Sequence, residues 1–203
     1  MHVRSTLGVR AAQRYAVRFS WPVARGHAWS SASTHPEASH ECTCGQKACS
    51  APGLHPVNGS WAAEATCDPA RLEELWEGRS WWPIVPTGEH FDAVIVRGLA
   101  AVHTLRALRE RGLDGGAVLN WMNEWHAFLV PIGSIPISST THRLRGTGVE
   151  HRGAGSWLPV PAVELLSPAR WRRTPRYRGG RLVLYEAETL ATAYASVQER
   201  APE

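Results

Sequence analysis

Apolar side chains recur along the chain at two spacings, and each spacing predicts one type of secondary structure. Residues 9–19 place apolar side chains on one side of a helix and predict an amphipathic first helix. Asp68-Pro69 predicts the start of another helix, because aspartate caps free backbone N–H groups and proline suits the first helical position. Gly78 is expected to end that helix. Further helices are predicted over residues 99–111, 163–166 and 186–199.

Short apolar runs bounded by turn-forming residues predict the strands. Residues 82–86 predict a strand that a turn at Thr87-Gly88 follows, and the unbroken apolar run 93–96 predicts a strand inside a sheet. Residues 117–121 and 125–130 predict two paired strands joined by a tight turn. Two more strands are predicted over residues 156–160 and 181–185. Together these elements predict a single α+β domain over residues 1–203, with a mixed central sheet flanked by helices.

Length and hydropathy restrict the class of protein. A chain of 203 residues with 43% hydrophobic content can bury one core. No apolar run approaches the roughly 20 residues that a bilayer-spanning helix needs, and the start of the chain lacks the apolar block of a secretory signal. We therefore expect a cytoplasmic protein with no membrane partner.

Charge adds a weaker constraint. The formal net charge is +4, and nearly all basic side chains are arginine, since Lys47 is the only lysine. This balance is compatible with a phosphate-bearing partner, although arginine clusters more often form solvated surface. The clusters are Arg143/Arg145, Arg170/Arg172/Arg173 and Arg176/Arg178/Arg181.

Residues 40–56 combine metal-binding side chains with turn-forming residues. Cys42, Cys44, Cys49 and His55 lie within fourteen residues, and three thiols with one imidazole form a tetrahedral ligand set that suits zinc. Disulfides are disfavoured because three clustered cysteines cannot pair completely and nothing indicates export. We therefore predict one structural zinc ion per chain. His40 is an alternative fourth ligand.

The fourth cysteine, Cys67, comes directly before the helix cap at Asp68. This position favours a structural role over that of a metal ligand. We expect it to be a small buried residue.

The zinc loop resembles that of a known family. Cys-x-Cys-Gly, a third cysteine and Pro-Gly-x-His-Pro are similar to the loop of bifunctional DNA primase/polymerase N-terminal domains. These belong to the archaeo-eukaryotic primase superfamily and occur in phage, plasmid and actinobacterial proteins. Residues 61–69 resemble the family's A-T-x-D-P helix start, Pro86-Thr87-Gly88 its turn before the first catalytic strand, and residues 148–161 its third motif. The resemblance covers about residues 15–165.

The resemblance implies metal-dependent nucleotidyl transfer in DNA replication, with Mg²⁺ or Mn²⁺ held by carboxylates. In the family, an Asp-x-Asp strand supplies two ligands, a later histidine contacts the triphosphate and a third acid completes the site. Register from the Thr-Gly turn puts Ile95 and Arg97 at the aspartate positions, and Asp92 is out of phase because side chains alternate along a strand. His126 and Glu150 match the family's histidine and third acid.

The degenerate motif predicts a domain that binds nucleic acid or nucleotide, with Arg97 and His126 as contacts, but has lost polymerase chemistry and needs no Mg²⁺ or Mn²⁺. One alternative is an active enzyme with a rearranged site of Asp92, Glu124 and Glu150, which strand parity disfavours. Another is a non-enzymatic, zinc-bearing interaction or regulatory module. The simpler structural interpretation of His126 is a half-buried strand position, and that of Glu150 is a solvated strand end.

Overall fold

A computed structural model of the chain describes residues 3–30, 41–46, 49, 51–53, 55–79, 81–113, 115–122, 124–135, 148–162 and 169–199. The helices are α1 (Val3–Phe19), α2 (Trp61–Glu64), α3 (Pro69–Trp76), α4 (Gly98–Glu110) and α5 (Ala187–Gln198). The strands are β1 (Ala24–Gly26), β2 (Trp29–Ser30), β3 (Glu41–Cys42), β4 (Trp82–Pro86), β5 (Asp92–Arg97), β6 (Val118–Trp121), β7 (Trp125–Val130), β8 (Val149–Arg152), β9 (Trp157–Pro159), β10 (Ala169–Arg173), β11 (Tyr177–Arg178) and β12 (Arg181–Leu182).

The chain divides into two compact units. The first comprises Met1–Pro86 with Trp157–Ser167, and the second comprises Thr87–Ser156 with Pro168–Glu203. The single domain over residues 1–203 stays a prediction. No helix in the described part of the chain is both long and apolar enough to cross a bilayer.

The first unit joins α1 and α3 to a three-stranded antiparallel sheet of order β1-β4-β9. α1 buries a stripe at helical spacing, including Ala12, Ala16 and Phe19, which confirms the amphipathic first helix. α3 begins as predicted, because the Ala70 N–H donates to the Asp68 carboxylate at 3.0 Å.

The second unit is a five-stranded sheet of order β10-β6-β7-β5-β8, with α4 and α5 packed on one face. β5 is an interior strand between β7 and β8, and residues 93–96 are completely buried, as predicted. The β6–β7 pair and the helices over 98–110 and 187–198 are likewise confirmed.

The α+β class is confirmed, but the sheet was expected to contain both parallel and antiparallel pairs. All of its described pairings are antiparallel. β5 and β6, which α4 connects, run in the same direction, as in a β-α-β unit. β7 lies between them because the tight turn at Met122, whose φ is 49°, folds it back beside β6. The parallel strands are therefore not hydrogen-bonded neighbours.

Several short elements differ from the predictions. The strand predicted over 181–185 contains only Arg181–Leu182, and the helix predicted over 163–166 lies outside the described residues. β1, β2, β3 and β8 have two to four residues each, too few for a periodic pattern. β10 was not predicted as a strand, because three of its five residues are arginine and give no apolar pattern.

Candidate functional site

The four predicted zinc ligands converge in the first unit. The ligand atoms of Cys42, Cys44, Cys49 and His55 all lie within 4.8 Å of one another. His55 Nε2 is 3.3 Å from Cys42 Sγ and 3.3 Å from Cys49 Sγ. Ligands around one tetrahedral zinc, at bond lengths of ~2.0–2.3 Å, are ~3.5 Å apart, so this geometry fits the ion.

Backbone turns bring the thiols of this loop together. The β2–β3 pair sets Cys42 opposite Trp29, and the Gly45 N–H donates to the Cys42 carbonyl at 3.1 Å. The Gly53 N–H lies 3.4 Å from Cys42 Sγ, as expected for a donor to a thiolate. Gly45 and Gly53 have φ of 75° and 68°, which glycine adopts without steric cost.

A second layer of contacts orients the imidazole of His55. Its Nδ1 lies 3.0 Å from the Pro56 carbonyl oxygen, which favours a proton on Nδ1 and leaves Nε2 as the ligand atom. The His27 ring packs 4.6 Å from the His55 ring, and its Nδ1 lies 3.1 Å from Thr43 Oγ1. Burial, and next the charge of His55, lower the pKa of His27.

Cys42 and Cys44, the two cysteines closest in sequence, have thiols in different environments. Burial raises the pKa of Cys42 to about 11, whereas the Gln46 backbone N–H is the main cause that lowers the pKa of Cys44 to about 7. Cys67 does not belong to the cluster, as predicted, but it is exposed rather than buried, in the segment that connects the Thr66 bridge to α3. His40 lies outside the described residues.

In the second unit, the strand register decides which residues share a face of the sheet. Ile95 lies directly opposite Ala127 on β7 and Glu150 on β8, and Arg97 lies opposite Trp125. Residues directly opposite in an antiparallel pair point to the same face, and residues two apart on a strand do so too. Ile95, Arg97 and Glu150 therefore share one face.

An ion-pair cluster stands on this face. Arg97 Nη2 is 3.3 Å from Glu150 Oε2, and Arg152 Nε is 2.8 Å from Glu150 Oε1. The side chains of Arg97 and Glu150 are 53% and 40% exposed. Glu150, which matches the family's third acid, thus contacts two guanidinium groups. The contact with Arg152 was not predicted, although the spacing 150/152 is the period-2 signal that places both residues on one face.

Asp92 is separated from that cluster by the sheet. Its parity puts it on the face of Val94, toward α4 and α5. Its Oδ2 accepts a hydrogen bond from the Gly133 N–H at 2.9 Å and lies 3.2 Å from His151 Nε2. In the described chain the four predicted zinc ligands form the one group of three or more His, Cys, Asp or Glu residues close enough to hold a metal.

His126 also lies on the helix-packed face. It sits opposite Val96 and Asn120, its ring is 6.3 Å from that of Phe128, and it is 3% exposed. Neither ring nitrogen makes a hydrogen bond of good geometry within the described residues. The register therefore brings Arg97 and Glu150 together and leaves His126 apart from them.

Burial is the main cause that lowers the pKa of His126 to about 4. The positive charge of Arg172 adds to this shift, and the backbone of Ala101 opposes it only in part. At neutral pH the ring is therefore uncharged in the folded protein.

We expect the stability of the protein to fall on acidification through this histidine. Above about pH 6.5 the ring is neutral in both states; between about pH 6.5 and pH 4 the unfolded state binds a proton that the folded state does not. The free energy of unfolding should fall by about 2–3 kcal/mol between pH 7 and pH 4.5 on this account.

Urea unfolding of the protein and of His126→Leu at both pH values measures this contribution. The variant should lose less stability on acidification, because leucine does not titrate. His103→Asn, at an exposed position on α4, is the control and should keep the pH dependence of the unmodified chain. An equal fall in the free energy of unfolding for the protein and for His126→Leu would contradict the assignment of this pH dependence to His126.

Comparison with known proteins tests the resemblance carried by the zinc loop and the Thr-Gly turn. A search of curated proteins finds no match to the chain. The family model described as bifunctional DNA primase/polymerase, N-terminal, matches residues 12–191, a range that includes the Cys₃His cluster as well as Arg97 and Glu150. The chain belongs to the family of bifunctional DNA primase/polymerase N-terminal domains.

Proposed function

We propose that this domain binds nucleic acid or nucleotide and has lost the nucleotidyl transfer of its family. The observation that carries the proposal is the ion pair between Arg97 and Glu150, on the face that Ile95 shares. Metal-assisted transfer needs carboxylates that converge on divalent cations. Isoleucine offers no oxygen ligand, and the arginine places a positive charge where a cation would bind. Mg²⁺ and Mn²⁺ then have no role in the domain.

Phosphate binding is the property that such a face retains. Arg97 is about half exposed, and its planar guanidinium can donate two hydrogen bonds to one phosphate. Arg152 also contacts Glu150, so the carboxylate remains neutralised when Arg97 turns toward a ligand. His126 has no part in this proposal, because it is buried on the opposite face.

The metal of the Cys₃His cluster is proposed to be zinc with a structural role. Zinc bound there would stabilise a loop whose described residues are mostly not buried and supply no core of their own. Free thiols that bind zinc need a reducing compartment, which supports a cytoplasmic location. A role in DNA replication follows from the family and belongs to the same proposal.

Primer extension tests the loss of chemistry. We expect a primed single-stranded template to remain unextended with Mg²⁺ or Mn²⁺, because the face described above holds Glu150 as its one family carboxylate, and a lone carboxylate holds Mg²⁺ weakly. Template-dependent extension by the unmodified chain would contradict the proposal and favour the rearranged site of Asp92, Glu124 and Glu150.

Fluorescence anisotropy with a labelled oligo-dT strand tests binding. Loss of one phosphate contact lowers single-strand affinity by about fivefold at ~0.1 M salt, which is the effect expected for Arg97→Ala. The matched control is Arg106→Ala, which removes an exposed, ion-paired arginine from α4. An unchanged affinity for Arg97→Ala would remove the binding role of this residue. A chain that binds no strand would favour the zinc-bearing interaction module.

A further inference from the structure

A strongly basic segment lies near the end of the second unit. From Ala169 to Tyr185 the chain carries six arginines and no acidic residue. This segment forms β10, at the edge of the five-stranded sheet, and then the separate two-stranded ribbon β11–β12. Neither Arg97 nor the metal loop belongs to it.

The ribbon fixes two arginines directly opposite each other. Its turn residues, Gly179 and Gly180, have φ of 57° and 74°, as a two-residue type I′ turn requires. This turn sets the register in which Arg178 pairs with Arg181. Both side chains therefore leave the same face of the ribbon, with Cβ atoms ~5 Å apart.

Two like charges in this position repel each other and destabilise the strand pair. Arg178 and Arg181 are both exposed, and the ion pairs found among the described residues include neither of them. An anion bound between the two guanidinium groups would remove the repulsion. The ribbon thus places two guanidinium groups where both can contact a phosphate backbone.

Neighbouring arginines extend the positive charge from the base of the ribbon. The Val183 N–H donates to the Arg176 carbonyl at 2.9 Å, which ties the residue before β11 to the residue after β12. Arg173, Arg109 and Arg176 each act electrostatically on the phenol of Tyr185. That hydroxyl is buried and makes no hydrogen bond within the described chain. These three arginines therefore add positive charge around Tyr185, close to the base of the ribbon.

The aromatic residue next to the arginine pair lies on the other face of the ribbon. Tyr177 pairs with Leu182, and side chains alternate along a strand, so the Tyr177 ring points away from the face that Arg178 and Arg181 share. The two guanidinium groups alone therefore form the contact surface, and guanidinium groups recognise phosphate.

We propose that Arg178 and Arg181 form a binding surface for the phosphate backbone of nucleic acid. The two guanidinium groups leave one face of the ribbon and hold backbone phosphates. This inference rests on the proposed function and deepens it, since it names a contact surface beyond Arg97.

The test is the affinity of the full chain for a labelled oligo-dT strand at several salt concentrations. Arg178→Gln with Arg181→Gln should weaken binding about 25-fold at ~0.1 M salt and reduce the slope of log K against log salt by ~1.4, the values for two lost phosphate contacts.

The control removes the same charge from another part of the surface. Arg71→Gln with Arg106→Gln deletes two exposed arginines that each pair with a glutamate on their own helix. Screening should limit its effect on affinity to about twofold. The ribbon variant should also unfold at an unchanged or higher temperature, because it relieves a like-charge pair.

The outcomes separate this inference from the proposed function. A chain that binds no strand overturns both. Binding that Arg97→Ala weakens but the ribbon variant leaves unchanged overturns the ribbon surface alone. Equal weakening by the ribbon variant and the control pair shows that net charge is responsible, and it also overturns the surface.

Discussion

Replacement of Cys44 by serine is expected to remove the metal from the chain and to lower its thermal stability at the same time. The thiol is one of four predicted ligands whose atoms lie within 4.8 Å of one another, and serine supplies no thiolate. Because the ligands come together only in the folded loop, the free energy of metal binding is also free energy of folding. We expect zinc to fall from one per chain to near zero, with a loss of about 3 kcal/mol, or ~10 °C in Tm.

Elemental analysis and thermal unfolding measure the two effects in one preparation. Cys67→Ser is the matched control, since Cys67 is exposed and outside the cluster, and it should retain both the metal and the Tm. Protein purified without chelator that contained no zinc would contradict the prediction. So would a Cys44→Ser variant that kept the metal.

Gly88→Ala is expected to destabilise the second unit strongly. Gly88 has φ of 86°, and a Cβ at this position would lie 2.4 Å from Ala154 Cα and 2.5 Å from Ala154 N. The turn cannot move aside easily, because Thr87 Oγ1 donates to the Gly153 carbonyl at 2.6 Å and the Thr87 N–H donates to the Ser156 carbonyl at 2.9 Å. We expect a loss of about 3–5 kcal/mol, since both backbones must shift.

A second glycine separates this steric clash from backbone strain alone. Gly112, after α4, has φ of 68°, but a Cβ there would meet no atom within 4 Å. Gly112→Ala should therefore cost only the left-handed conformation, about 1–2 kcal/mol. Urea unfolding of both variants measures the difference. Equal losses would show that the contact with Ala154 relaxes freely, against the prediction.

The face on which each strand residue lies was partly predictable. Side-chain parity from the Thr87-Gly88 turn correctly separated Asp92 from Ile95 and Arg97, because alternation is a local property of any strand. Parity alone does not say what faces Ile95. The contact of Arg97 with Glu150 depends on β8, which joins the sheet 53 residues further along the chain.

Local chemistry determined much of this protein from the sequence by itself. The cap at Asp68, strand β4, the β6–β7 turn and the Cys₃His cluster all depend on residues that are close in sequence, so short-range spacing was sufficient to predict them. The tertiary structure alone decided that β7 lies between β5 and β6, that β8 brings Glu150 to Arg97, and that His126 is enclosed on the helix side. These features depend on which distant strands pair, and that choice is made by the burial of the whole apolar face and not by any one segment.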